Sequence, residues 1–473
     1  MSALAGSGEC VNDAGSLSVG RENWQQNFAP AEFREHGDKL TFLFLWLFTV
    51  AVFARPEDIF PSLAPLHLTF VFGACAGLTY LAALLSGRVA LRWTRELKIV
   101  LLLTGWYIAG VPFALWGRGS FETLTHVWLK TFLIFFLLTQ VLVTVERVRK
   151  LLWAIILSEL VVTSFSIALS SRAIWVGERM LGFNLGILGW NFLGIAEALA
   201  IPYMAAIFVV RRSVLEASLL AAVVISMTWM LVLTASRSGL LDVVFSTALT
   251  SLLVLRGSPR GRIIGVAIAL ALVVAISLAP QVFWERLGTM WDGADPSTNE
   301  AAASARESGE DHLAVLTRSL EYTLEHPMFG LGLGNFVVAN GTDLGLPGAW
   351  TGTHNTFTEI SSEAGLPALL LFVGLLITVW RNIKKMGKTV GNNPEGRELN
   401  LIARATQASL LSFAFGALFA HLAYEYYFFY VVGIGVGIQQ IARTMQRTSS
   451  APAGAVPSTL HIAAANIAPR LCE

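Results

Sequence analysis

Cysteine is nearly missing from this chain: Cys10, Cys75 and Cys472 are the only three in 473 residues. They are scattered over both ends and one apolar run with no metal-type spacing, so neither a disulfide framework nor a thiolate metal site organises the fold. Charge is scarce as well, at 14% of residues with a formal net charge of +1. A nucleic-acid partner needs a concentrated basic face, and none is present. No cleavable leader is evident at the start. Residues 1–38 are polar and mixed and close on Arg34, Glu35, His36 and Asp38, which reads as a cytoplasmic tail followed by an uncleaved first span.

Apolar sequence is what the chain has in excess: 55% of residues are hydrophobic and the mean hydropathy is +0.62. A soluble core does not need so much. Apolar runs of about 17–25 residues, the length that crosses roughly 30 Å of hydrocarbon, recur along the chain. They fall near 40–54, 66–86, 98–116, 124–144, 151–170, 186–210, 214–235, 239–255, 263–280, 357–380, 405–421 and 424–442. The expected fold is therefore all-α, a polytopic transmembrane bundle of about twelve spans.

Lys and Arg alternate between connections in phase with that count. Arg88, Arg92, Arg95 and Lys98 mark one loop; Arg147, Arg149 and Lys150 the next of the same side; Arg211 with Arg212, Arg256 with Arg260 and Arg262, and the group from Arg381 to Arg404 follow. The intervening loops hold single residues or pairs: Arg55, Arg118, Arg172 with Arg179, and Arg237. By the positive-inside rule the first set and both termini are cytoplasmic. The chain then divides into a cytoplasmic tail (1–38), spans one to nine (39–280), one large periplasmic loop (281–356), spans ten to twelve (357–442) and a cytoplasmic C-terminal tail (443–473). A loop of that length is functional or disordered. Its first part, through Ala301 to Ala303, reads as flexible. From Asp311 to His326, the spacing of Leu313, Leu316, Leu320 and Leu324 predicts an amphipathic helix on or near the membrane.

Few residues in such a chain carry chemistry. Arg237, in Thr234-Ala235-Ser236-Arg237-Ser238-Gly239, sits between two apolar runs with almost no loop. It reads either as an interfacial anchor or as a clamp for phosphate or carboxylate oxygens. His354, in Thr353-His354-Asn355-Thr356, lies where the large loop re-enters the membrane. Either it belongs to a capped helix start or it takes a proton from an alcohol, with a neighbouring amide or carboxylate orienting it. Glu359 and Glu363 follow as supports, Glu363 favoured, although both also suit a helix N-terminus. The segment Gly330-Leu331-Gly332-Leu333-Gly334-Asn335 has no P-loop lysine and follows a helix, so it reads as a tight turn with close backbone packing. His312, His326, His354 and His421 do not share the short spacing common among zinc ligands, and no metal is expected.

Together, Ser236-Arg237-Ser238-Gly239, the stretch from His326-Pro327-Met328-Phe329-Gly330 to Phe336, and the His354-Asn355 pair resemble the O-antigen ligase and polymerase superfamily of bacterial envelope glycan enzymes. Gly365 stands at the family's glycine position after the pair; Ala368, three residues later, departs mildly from the residues usual there. The resemblance implies a C-type glycosyltransferase-like membrane fold in the bacterial inner membrane. It further implies an undecaprenyl-diphosphate-linked glycan as donor, a hydroxyl acceptor such as lipid A core, and an active site facing the periplasm. No cofactor is implied, and the chemistry would be inverting displacement with Arg237 at the leaving group and His354 as base or acceptor-orienting group. The family also uses a second loop arginine; Arg306 is the first choice and Arg318 the second, and His312 is a third candidate for that place. Asn355 and Glu363 complete the expected substrate-binding set. Arg55-Pro56-Glu57-Asp58-Ile59-Phe60-Pro61 looks more like ligase-type members, while polymerase and protein O-oligosaccharyltransferase remain open. The rival from another class is a lipid-linked glycan transporter, favoured by Lys130, Glu159 and Glu197 within or beside apolar runs but lacking half-chain repeats.

Overall fold

The computed structural model describes residues 39–171, 173–176, 179–182, 190–256, 259–288, 300–345, 351–386 and 393–450. Both expected tails, apart from residues 443–450, lie outside these residues, as do residues 289–299 of the loop segment expected to be flexible.

Each of the predicted apolar runs falls on a helix. In chain order these are α1 (Lys39–Ala54), the short α2 (Pro56–Ile59), α3 (Leu68–Leu85), α4 (Arg95–Gly110), the short α5 (Gly117–Thr123), α6 (Leu129–Val141), α7 (Val145–Ala168), α8 (Trp190–Val209), α9 (Val214–Thr234), α10 (Arg237–Leu253) and α11 (Pro259–Ser277). The large connection contributes α12 (Gln281–Gly288), α13 (Glu300–Glu325) and α14 (Phe336–Asp343), and α15 (Thr356–Met386), α16 (Pro394–Gly416) and α17 (Tyr426–Ser450) complete the chain. Seven helical stretches are long and apolar enough to cross a membrane by length and composition, and Lys39–Ala54 and Leu193–Val209 are shorter apolar helices. The chain is a helical membrane protein. Its one departure from all-helical structure among the described residues is an antiparallel hairpin, β1 (Ile174–Val176) with β2 (Arg179–Gly182).

Polar residues at the ends of the runs define the helix boundaries. Thr94, Thr144 and Ser213 each accept a hydrogen bond from the backbone three residues on, capping α4, α7 and α9, which satisfies amides the helix leaves open. One apolar core runs through the bundle, with Trp128, Phe135, Phe372, Phe413, Phe428 and Phe429 fully buried in it. α8 packs against α10 and α16, α1 against α3 and α7, and α6 against α17.

The large connection is more ordered than its composition predicts. The alanines 301–303, expected to be flexible, belong to α13, which begins well before Asp311. α13 presents Val315, Ser319, Tyr322 and Thr323 to the protein, while Leu313, Leu320 and Leu324 of the predicted apolar stripe stay exposed. The helix was legible, but the face it packs with carries hydroxyls as well as apolar atoms: Thr323 and Ser361 of α15 share a hydrogen bond at 2.8 Å.

Candidate functional site

Two helix ends and one loop build the site. α9 stops at Thr234 because Ala235 turns left-handed, at φ +47°. Ser236 then caps α10, its hydroxyl accepting from Gly239 N–H at 3.1 Å. Gly194 of α8 must be glycine for a packing reason: a Cβ there would lie 2.3 Å from the Gly239 Cα. Arg237 is consequently the first residue of α10, where the helix dipole and open amides favour an anion.

The sequence reading missed the partner of this arginine. Arg286, on α12, is buried at 6% exposure, and α12 is held by Phe283, which packs with Val232, Ala235 and Ala275. Burial, and then the charge of Arg237, lower the Arg286 pKa from its ordinary value. The two guanidiniums lie within electrostatic reach of each other. The only signal in the sequence was a short amphipathic stretch, Phe283-Trp284-Glu285-Arg286, just past the ninth apolar run.

His354 lies against two other histidines. Its ring stacks on His312 of α13 at 4.2 Å and 10°, and meets His421, in the α16–α17 connection, edge-on at 5.5 Å. Its backbone is left-handed, φ +50°, a conformation a non-glycine residue keeps only where its surroundings hold it. Burial first, then His312 and His421, push its pKa down to about 3; burial and His312 push His421 down to about 4. His354 is thus a neutral imidazole at pH 7. Three of the four histidines weighed in the sequence converge here, while His326 is exposed. Among the described residues no group of three His, Cys, Asp or Glu is arranged to hold a metal ion.

The other sequence candidates occupy structural positions. Asn355 caps α15, its Oδ1 accepting from Phe357 N–H and Thr358 N–H at 2.9 and 3.1 Å. Arg318 donates to Asn340 Oδ1 at 2.8 Å, tying α13 to α14. Arg306 lies on α13, and its side chain falls outside the described residues. Glu363 braces the glycine turn: it accepts from Gly334 N–H at 2.7 Å, Phe336 N–H at 3.0 Å and the Tyr424 hydroxyl at 2.8 Å. Glu359 accepts from Ala423 N–H at 2.9 Å. Both carboxylates therefore hold the shell around the histidines, with Glu363 bonded to the glycine turn where support for His354 was expected.

The glycine turn is close backbone packing, as its composition predicts. α15 breaks at Gly365, φ +81° and ψ 172°. The carbonyls opened by the break accept from the turn, Ser362 from Leu331 N–H and Glu363 from Gly332 N–H, both at 2.8 Å. A Cβ on Gly365 would lie 1.9 Å from the Met328 carbonyl oxygen, and one on Gly330 2.3 Å from the Glu363 carbonyl carbon. Phe329 is clamped between Trp106 and Phe113, at 4.8 and 4.6 Å.

Residues 221–373 match the family model described as O-antigen ligase. That stretch is similar to the O-antigen ligase family. The matched stretch contains Arg237, Arg286, His312, His354, the glycine turn and the break at Gly365, which are the arginine pair, two of the three histidines and the brace. His421 and the connection carrying it lie beyond the match. No curated protein matches the chain. Arg237, Arg286 and the His312–His354 stack all lie within the matched stretch.

Proposed function

We propose that this chain is an O-antigen ligase-like glycosyltransferase of the bacterial inner membrane. It would move a glycan from undecaprenyl diphosphate to a hydroxyl acceptor, lipid A core or a similar glycolipid, on the periplasmic face. The observation that carries the reading is that Arg237, the first residue of α10, acts electrostatically on the buried Arg286, within the same matched stretch as the His312–His354 stack. Two cations held together match a diphosphate, whose negative charge grows as the sugar bond breaks; fixed positive charge at that point lowers the barrier.

In this reaction the acceptor oxygen forms a bond to the anomeric carbon from the face opposite the diphosphate. The bond from that carbon to the phosphate oxygen breaks, and undecaprenyl diphosphate leaves with the electron pair. His354, neutral before substrate binds, accepts the acceptor's hydroxyl proton or holds that hydroxyl in line. A base depressed to about pKa 3 is weak, but an anionic donor bound nearby raises it toward neutrality. His312 stacks on His354, and Arg286 is the second cation in this reading.

The test is transfer by the purified chain, with EDTA present, from an undecaprenyl-diphosphate glycan to lipid A core. Transfer that requires the core and disappears in His354→Ala is expected. Ladders of glycan without core would make the chain a polymerase, and undiminished transfer by His354→Ala would remove the proposed base.

A further inference from the structure

Away from the histidine stack, a cavity of about 310 Å³ opens at the junction of α1, α2, α6 and the start of α17. Its floor is apolar, but five ionisable side chains face it: Arg55, Glu57, Asp58, Lys130 and Glu425. Charges at membrane depth are costly and gather where they serve a ligand or a water-filled path. Three of the five are engaged locally. Arg55 pairs with Asp58 at 2.6 Å, and Glu57 accepts from Leu68 N–H.

Lys130 and Glu425 differ. Both line the cavity, yet among the described residues neither Lys130 nor Glu425 is in an ion pair with a protein group. An ammonium and a carboxylate, with the Tyr426 ring on the same wall, offer strong donors, strong acceptors and an apolar face together. A sugar ring presents the complement of that set, with hydroxyls that donate and accept and C–H faces that stack. The volume sits at the lower end of ligand pockets, about 300–1,000 Å³, which suits one or two rings.

The cavity also has a fixed relation to the candidate site. Glu425 is four residues from His421, and the connection between them is bonded throughout. Leu422 N–H donates to Thr356 Oγ1 at 3.0 Å, Ala423 N–H to Glu359, the Tyr424 hydroxyl to Glu363, and Thr131, next to Lys130, donates to the Tyr424 carbonyl at 2.8 Å. A ligand in the cavity therefore sits at a set distance from His354.

We infer that this cavity is a saccharide subsite that holds the acceptor's sugar, with Lys130 and Glu425 as its polar contacts. The inference rests on the ligase reading for the word acceptor, and on the cavity alone for the sugar.

The test uses the full-length chain in detergent, with Cys10, Cys75 and Cys472 replaced by serine and Lys130→Cys added, and follows modification by a water-soluble maleimide. Lipid A–core glycolipid is expected to slow modification about tenfold, undecaprenyl diphosphate to leave it unchanged, and Glu425→Gln to raise the glycolipid concentration needed by about tenfold, the scale of one charge-assisted hydrogen bond. Protection must persist in His354→Ala, because it reads occupancy and not turnover. Protection by undecaprenyl diphosphate alone, or labelling unchanged by the glycolipid, overturns the subsite. Protection by the glycolipid in a chain whose native form transfers nothing keeps the subsite and overturns the ligase reading.

Discussion

Individual side chains carry the sharpest expectations. Arg237 stands at the start of α10 and acts electrostatically on Arg286 of α12, so Arg237→Ala and Arg286→Ala are each expected to lower kcat by about 10²–10³, the range for losing one preorganised donor at developing charge. A steady-state transfer assay measures this, and a loss below tenfold for Arg286→Ala would assign the second cation elsewhere. Arg318→Ala, which frees only Asn340, is expected to cost far less. His354 sets the pH behaviour. Its folded pKa of about 3 lies below the ordinary value of 6.5, so the unfolded chain binds the proton more readily and stability falls as pH drops from 6.5 toward 3. The thermal midpoint in detergent should decline between pH 7 and pH 5, and less steeply in His354→Asn. For catalysis, the acid limb of kcat/KM, which reports the free enzyme, should lie below that of kcat, which reports the donor-bound state.

At the scale of elements, the break in α15 and the glycine turn form one unit. The turn's amides satisfy carbonyls that the break exposes, and Glu363 closes the turn from the helix side. Gly365→Ala places a Cβ 1.9 Å from the Met328 oxygen and a side chain at φ +81°. The conformation alone costs roughly 1–3 kcal/mol, so the expected result is a lower thermal midpoint and lost transfer together. Glu363→Gln keeps the shape but weakens the charged acceptor, and should lower the midpoint less than Gly365→Ala does. These roles were half legible. The glycines read correctly as close packing, because the stretch has no P-loop lysine and follows a helix. Glu363 read as a partner of His354, because nothing local reveals that the turn, some 30 residues earlier, returns to it.

Across the whole molecule, the in-phase alternation of basic loops predicts that both termini lie on one side. Cys10 and Cys472 should then react with a membrane-impermeant reagent only when the cytoplasmic side is open, and a cysteine placed at Arg118 only from the other side. Opposite labelling of the two termini would reduce the count of about twelve spans to an odd number.

Hydropathy determined the helices by itself, because each apolar run has to bury its backbone bonds internally in a membrane. Residue chemistry also marked Arg237, His354 and the glycine turn, because each lies within one short stretch whose pattern is visible. Only tertiary structure decided what stands beside them. His312, His354 and His421 belong to three segments, Arg286 comes within electrostatic reach of Arg237, and Lys130 and Glu425 line one cavity from distant parts of the chain. Those neighbours follow from how helices pack against one another, which depends on surfaces summed over the whole bundle and leaves no period in the sequence.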